Sequence, residues 1–291
     1  LHAVERVPGT KVSLAPPDDF ESTTQYPGFA MKSTGATIIV NEMPAPFSEL
    51  AKGMTSENLA TRGMKLIEKT NVDVASREGK LLYVRQSAGG IEFLKWMLLF
   101  GTEKESVMLL ATFPAEFEKD LREILRKAIL SATWDLNAKV DPAEGLTFSV
   151  KESADLKVAG KIGNMLALTR NGVMPQTNPA EPLFVVGSSA SEDWTVPGDK
   201  AVYARERFIK AGPLSDATLT SERSIKFDGL SGYLLEAEGR DKKTGVALYA
   251  MQGMLFTTDG YYVLQAFVGV EEKEKYSKVF LTILKSFKRV E

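Results

Sequence analysis

The chain has 291 residues, 44% of them hydrophobic and 25% charged, with a formal net charge of −2. The proportions are those of a globular protein, and the near-neutral balance excludes a general nucleic-acid binder, which presents a basic face. Cysteine is absent, which excludes disulfides, thiolate nucleophiles, thiolate metal sites and iron–sulfur clusters.

The first readable unit is "YPGFAMKSTGATIIVNEMPAP", Tyr26 to Pro46. It predicts a hairpin turning through Ser33, Thr34 and Gly35, followed by a proline-marked exit. A helix is expected next, from about Phe47 to Lys69, weakened or split by Gly53 and Gly63. Three strands follow in "GKLLYVRQSAGG", "FLKWMLLFG" and Val107 to Phe113, the last two joined by the turn Thr102–Glu105. Short turns make such a meander antiparallel. Pro114 then breaks the chain, and Leu121, Ile124, Leu125, Ala128, Ile129 and Ala132 recur on one face of a helix.

A polar join, "NAKVDPAEG" from Asn137 to Gly145, has the composition of a linker. Beyond it the plan repeats. "KIGNMLALTRNGVMPQTNPAEPLFVVGSS" is a hairpin with a longer tip, and Asp199 to Lys210 reads as a helix. "LSGYLLEAEGRDKKTG" and "LYAMQGMLFTTDGYYVLQAFV" supply a second meander, with its turn at Thr257–Gly260. The final helix sets Tyr276, Val279, Phe280, Ile283, Leu284 and Phe287 at the places of Leu121, Ile124, Leu125, Ala128, Ile129 and Ala132, and Gly269 at the place of Pro114. Each half therefore reads β–β–β–α–β–β–β–α. The fold class is α+β, two tandem copies of an antiparallel sheet flanked by helices. The expected domains are 1–138 and 143–291, with 139–142 as linker.

"PGTKVSLAPPDDFESTTQYPGFAMKSTGATIIVNE", followed by a helix, the meander and a final amphipathic helix, resembles the PsbP-like superfamily. That superfamily includes an extrinsic protein of photosystem II, a Ran-binding import factor and bacterial envelope lipoproteins. The resemblance spans both halves and implies a tandem α/β/α sandwich with an accessory, assembly or binding role. It carries no functional residue across, because no functional motif matches.

The residues give little chemistry of their own. The single histidine, His2, stands beside the chain end, so serine–histidine catalysis and histidine metal sites are not expected. Ser-x-x-Lys, Gly-x-Gly-x-x-Gly and the phosphate loop are missing. Asp18 and Asp19 point to opposite sides if extended. Glu103 and Glu105 fall in a turn, and Glu271 and Glu272 complement a helix dipole. Asp241 to Gly245 lacks the alternating acids and closing glutamate of a calcium loop. No catalytic residue, cofactor or metal is expected.

The halves differ most at Asn171–Glu181, "NGVMPQTNPAE", an extra loop in the second. "SSASEDWTVPGD", Ser188 to Asp199, sets a tryptophan among polar residues. Met174, Pro175, Asp193 and Trp194 are the candidate partner-binding residues, because tryptophan is a residue type that anchors interfaces; the alternative is a Trp194 ring packed onto its own domain. Trp96 and Trp134 fall on strand and helix patterns and are expected in the core.

The expected function is a non-enzymatic binding or assembly protein of the bacterial cell envelope, with a protein partner and no nucleic acid. The alternative is a small-molecule carrier with its ligand between the two domains, and a carboxylate-based hydrolase is third. A cysteine-free chain fits an oxidising compartment. A periplasmic or otherwise extracytoplasmic location is expected, with a signal segment trimmed ahead of Leu1; the alternative is cytoplasmic. No apolar run reaches the roughly 20 residues of a spanning helix, which leaves peripheral or lipid-anchored attachment through residues outside the sequence.

Overall fold

The computed structural model describes residues 3–162, 165–189 and 197–290. The chain divides into two compact units, Leu1–Gly145 and Leu146–Glu291.

In the first unit the sheet strands are β1 (Glu21–Ser22), β2 (Gly28–Met31), β3 (Ala36–Met43), β4 (Met64–Val74), β5 (Arg77–Ala88), β6 (Ile91–Gly101) and β7 (Ser106–Pro114). Helices α1 (Phe47–Lys52) and α2 (Ser56–Ala60) fall between β3 and β4, and α3 (Glu118–Leu130) follows β7. In the second unit the strands are β8 (Lys157–Ile162), β9 (Met165–Thr169), β10 (Leu183–Ser188), β11 (Leu214–Phe227), β12 (Leu230–Asp241), β13 (Ala247–Phe256) and β14 (Tyr261–Gly269). Here α4 (Lys200–Ala211) precedes β11, and α5 (Lys273–Lys285) follows β14.

The two seven-stranded sheets have one topology, β1-β2-β3-β7-β6-β5-β4 and β8-β9-β10-β14-β13-β12-β11. Every pairing in both is antiparallel. Alternation along the strands gives each sheet two apolar faces, and each face is covered by helix. In the first unit Leu121, Leu125, Ala128 and Ile129 of α3 bury against Ile38, Trp96, Leu98 and Leu109, while α1 and α2 cover Leu82, Met97 and Leu99 on the other side. In the second, Tyr276, Phe280, Ile283 and Leu284 of α5 take the first role, and Ala204 and Phe208 of α4 the second. Each large side chain buried this way contributes about 1.5–3 kcal/mol.

The matched helices α3 and α5 agree with the sequence reading at their buried positions. The exception is Ile124, which is 43% exposed and lies at the margin of the face, not within it. Trp96 and Trp134 are buried. The long helix expected from Phe47 to Lys69 is corrected: helix ends at Ala60, and Met64 onward is strand β4. The meander in each unit thus has four strands, because β4 and β11 add an outer one. The helical appearance of "MKLIEK" has a physical source. A bulge between Leu66 and Glu68 breaks the strand alternation, and leucine, lysine and glutamate are good helix formers.

Both outer strands are bulged. β4 has one irregularity, and β11 has two, between Ser215 and Thr218 and between Leu219 and Ser221.

Candidate functional site

The inserted loop of the second unit forms one wall of a hollow of about 470 Å³. Its floor is sheet. Leu183 of β10 pairs with Phe267 of β14, and Leu248 of β13 pairs with Gly269. One wall is Met174, Pro175, Gln176, Thr177 and Pro179 from the loop. The opposite wall is Pro213 after α4, with Asp241, Lys243 and Thr244 from the turn between β12 and β13.

Both walls are held by their own hydrogen bonds. At the loop's start the Thr169 hydroxyl accepts from the Val173 N–H at 3.0 Å and donates to the Val173 carbonyl at 3.1 Å. The Gln176 amide donates to the Pro182 carbonyl at 2.9 Å. At its end the Gly269 N–H donates to the Ala180 carbonyl at 2.9 Å. A Cβ on Gly269 would stand 3.1 Å from that of Ala180, so glycine allows the close approach. Arg170, at the loop's root, pairs with Glu272 at 2.6 Å and donates to the Tyr276 hydroxyl at 3.2 Å.

In the opposite wall the Asp241 carboxylate accepts from the Thr244 hydroxyl and N–H, each at 2.8 Å, and from the Lys243 N–H at 3.1 Å. The Thr244 bonds lead in holding this carboxyl below its usual range. All three bonds fall on one carboxylate oxygen, Oδ1, and close the turn. Lys242 points away and donates to the Gly212 carbonyl at the end of α4 at 2.7 Å. The result is an apolar basin with a polar rim, rigid on both sides, suited to an apolar side chain or small apolar ligand.

The first unit shows what this position looks like without the loop. The residues in register with Leu183, Phe267 and Leu248 are Thr37, Thr112 and Phe93. There β2 and β3 are joined by a short turn, with Gly35 at φ 70°, and Pro114 replaces Gly269. Proline has no N–H to give a loop. Two of the three apolar floor residues, the glycine donor and the inserted loop thus occur together in one unit and are replaced together in the other.

Of the residues expected from sequence, Met174 and Pro175 line the hollow. Asp193 and Trp194 lie outside the described residues. Sequence reasoning missed the floor, because Leu183, Leu248 and Phe267 read as ordinary strand core. The signal that could have found it is the replacement of Pro114 by Gly269, read as one chain breaker for another. Of the acids weighed for catalysis, Glu105 pairs with Lys11 at 3.0 Å and Glu272 with Arg170. Among the described residues no group of three or more His, Cys, Asp or Glu side chains could hold a metal ion. No helix among them is long and apolar enough to cross a membrane.

The architecture defines an α+β protein of two topologically equivalent units, one of which carries a built hollow. No family model and no curated protein matches the sequence. Among solved structures, the immunity protein TplEi of T6SS from Pseudomonas aeruginosa is similar at 12% identity, with a TM-score of 0.38 over 98% of this chain and 96% of that one. A Pseudomonas aeruginosa protein of unknown function is similar at 14% identity and a TM-score of 0.34, over 48% of this chain and 94% of that one. Cyanobacterial PsbP from Synechocystis is similar at 14% identity and a TM-score of 0.29, over 49% of this chain and 92% of that one. PsbP belongs to the superfamily that the order of elements resembles; the α+β class rests on the strand order itself.

Proposed function

We propose that the protein is a non-catalytic binding protein of the bacterial envelope that captures a protein partner through the hollow of its second unit. The observation that carries this reading is the apolar basin of Leu183, Leu248 and Phe267 between two hydrogen-bonded walls. An interface core needs such a preformed, desolvated pocket for an anchoring side chain. Asp193 and Trp194 are proposed as further contacts, and the cysteine-free composition supports the extracytoplasmic location.

The test is chemical crosslinking in the cells that make the protein, followed by mass spectrometry, with Thr177→Arg as control. Thr177 is exposed on the loop wall, so an arginine there blocks the mouth without disturbing the core. A partner crosslinked to the wild type and lost from Thr177→Arg is the expected result. A partner retained equally by both overturns the assignment of the hollow. Fractionation of the same cells checks the compartment.

A small-molecule reading has its own observation. The hollow's volume of about 470 Å³ falls in the ordinary range for small ligands. A thermal-shift ligand screen separates the two, since a compound that binds the native state raises its stability.

A further inference from the structure

Lys95 lies at the centre of the first unit's sheet, on β6, flanked by Val84 of β5 and Thr112 of β7. Thr112 pairs in turn with Thr37 of β3. Directly paired residues share a face, with Cβ atoms about 4.5–5.5 Å apart, so one lysine and two threonine side chains rise in a row from three neighbouring strands. Val84 is fully buried in the cluster under α1 and α2, while Lys95, Thr112 and Thr37 are half-buried at its border. Among the described residues neither the Lys95 ammonium nor either hydroxyl has a hydrogen-bond or ionic partner. Burial lowers the lysine's pKa from its ordinary value.

The fold does not demand these residues. In the second unit the same three places carry Ala250, Phe267 and Leu183, all packed in an apolar cluster. A half-buried cation without a counter-charge costs stability, and such costs are retained where function needs them.

We infer that Lys95, Thr112 and Thr37 form a carboxylate-binding site, and that its occupant is an acidic side chain of a partner protein. The charge balance selects the ligand. One ammonium neutralises one carboxylate, whereas a phosphate group near −2 would leave uncompensated charge on a half-buried surface. The two hydroxyls supply neutral donors to the second carboxylate oxygen, and the half-buried Leu110, two residues from Thr112 on the same face, gives the side-chain stem an apolar seat. The site stands on the first unit and does not depend on the hollow of the second.

The test is an NMR titration of the full chain that follows the Lys95 side-chain resonance and the Thr112 and Thr37 amides. The probes are a terminally blocked tripeptide with central glutamate, its glutamine counterpart, acetate and inorganic phosphate at matched ionic strength. The glutamate peptide is expected to shift these signals saturably, at least about tenfold more tightly than the glutamine peptide, the span of one charge-assisted bond. Lys95→Met removes the response while the melting temperature holds or rises. Thr112→Val weakens it about threefold and serves if Lys95→Met fails to fold. Equal response to both peptides, or full binding by Lys95→Met, overturns the site. Acetate binding as tightly as the glutamate peptide overturns the protein partner in favour of a free carboxylate, and tighter phosphate binding overturns the carboxylate assignment.

Discussion

The Gly269 N–H donates to the Ala180 carbonyl at 2.9 Å, where the first unit has Pro114 and no loop. Gly269 sits at φ −54°, a value proline adopts without strain. Gly269→Pro therefore keeps the backbone angle but removes the donor, and its ring crowds Ala180, whose Cβ would stand 3.1 Å from the new Cβ. Proline at a hydrogen-bonded N–H costs more than the stiffer unfolded chain returns. The melting temperature is expected to fall while amide exchange across 171–181 rises and ligand or partner binding at the hollow falls. Hydrogen-exchange mass spectrometry of the variant checks this; an unchanged loop would show that the bond does not hold the wall.

Lys95 gives a pH-dependent prediction. Its folded-state pKa is depressed by burial, against about 10.4 in the unfolded chain. Between the two values the unfolded chain binds more protons, so stability rises with pH across that window. Lys95→Met should remove this rise. Urea unfolding of both proteins at neutral and mildly alkaline pH measures it.

Tyrosines act in the opposite sense at higher pH. Burial, followed by contact with Tyr203, pushes Tyr261 up to about 12. Burial and hydrogen bonds to Glu118 and Glu236 raise Tyr83 and Tyr249 as well. Above about 10 the unfolded chain loses these protons first, so stability falls as pH climbs. These three of the eight tyrosines should ionise only as the protein unfolds, seen as a step in tyrosinate absorbance coincident with loss of circular dichroism. Tyr249→Phe should shift that step to higher pH.

Arg122 ties α3 to the sheet's outer strand. Its guanidinium lies 4.6 Å from the Tyr83 ring centre, 3.3 Å from Glu68 of β4 and 3.7 Å from Glu118. Arg122→Ala is expected to cost about 1–2 kcal/mol. Lys32→Ala, which breaks an exposed pair with Glu21, should cost less than about 0.5 kcal/mol. Denaturant midpoints of the two variants make the comparison.

The repeat was legible because α3 and α5 carry the same buried spacing and β7 and β14 the same length. The outer strands were not. The β4 bulge at Leu66–Glu68 masks its alternation, and β11 is polar at most of its outward positions. Half of the candidate site could be read from the inserted loop, through Met174 and Pro175. The other half is made by residues distant in sequence, Leu248 and Asp241 among them, which strand pairing alone brings opposite the loop.

The bulges have a consequence for how such a chain folds. Two sheets of one topology on one polypeptide invite an edge strand of one to dock on the other while both are forming. β4 contains one extra residue and β11 two. Since a shift of one residue turns every side chain to the opposite face, a strand that docked on the wrong sheet would expose apolar residues partway along its length. The difference in bulge number therefore disfavours such a swap, because each outer strand fits the register of its own sheet.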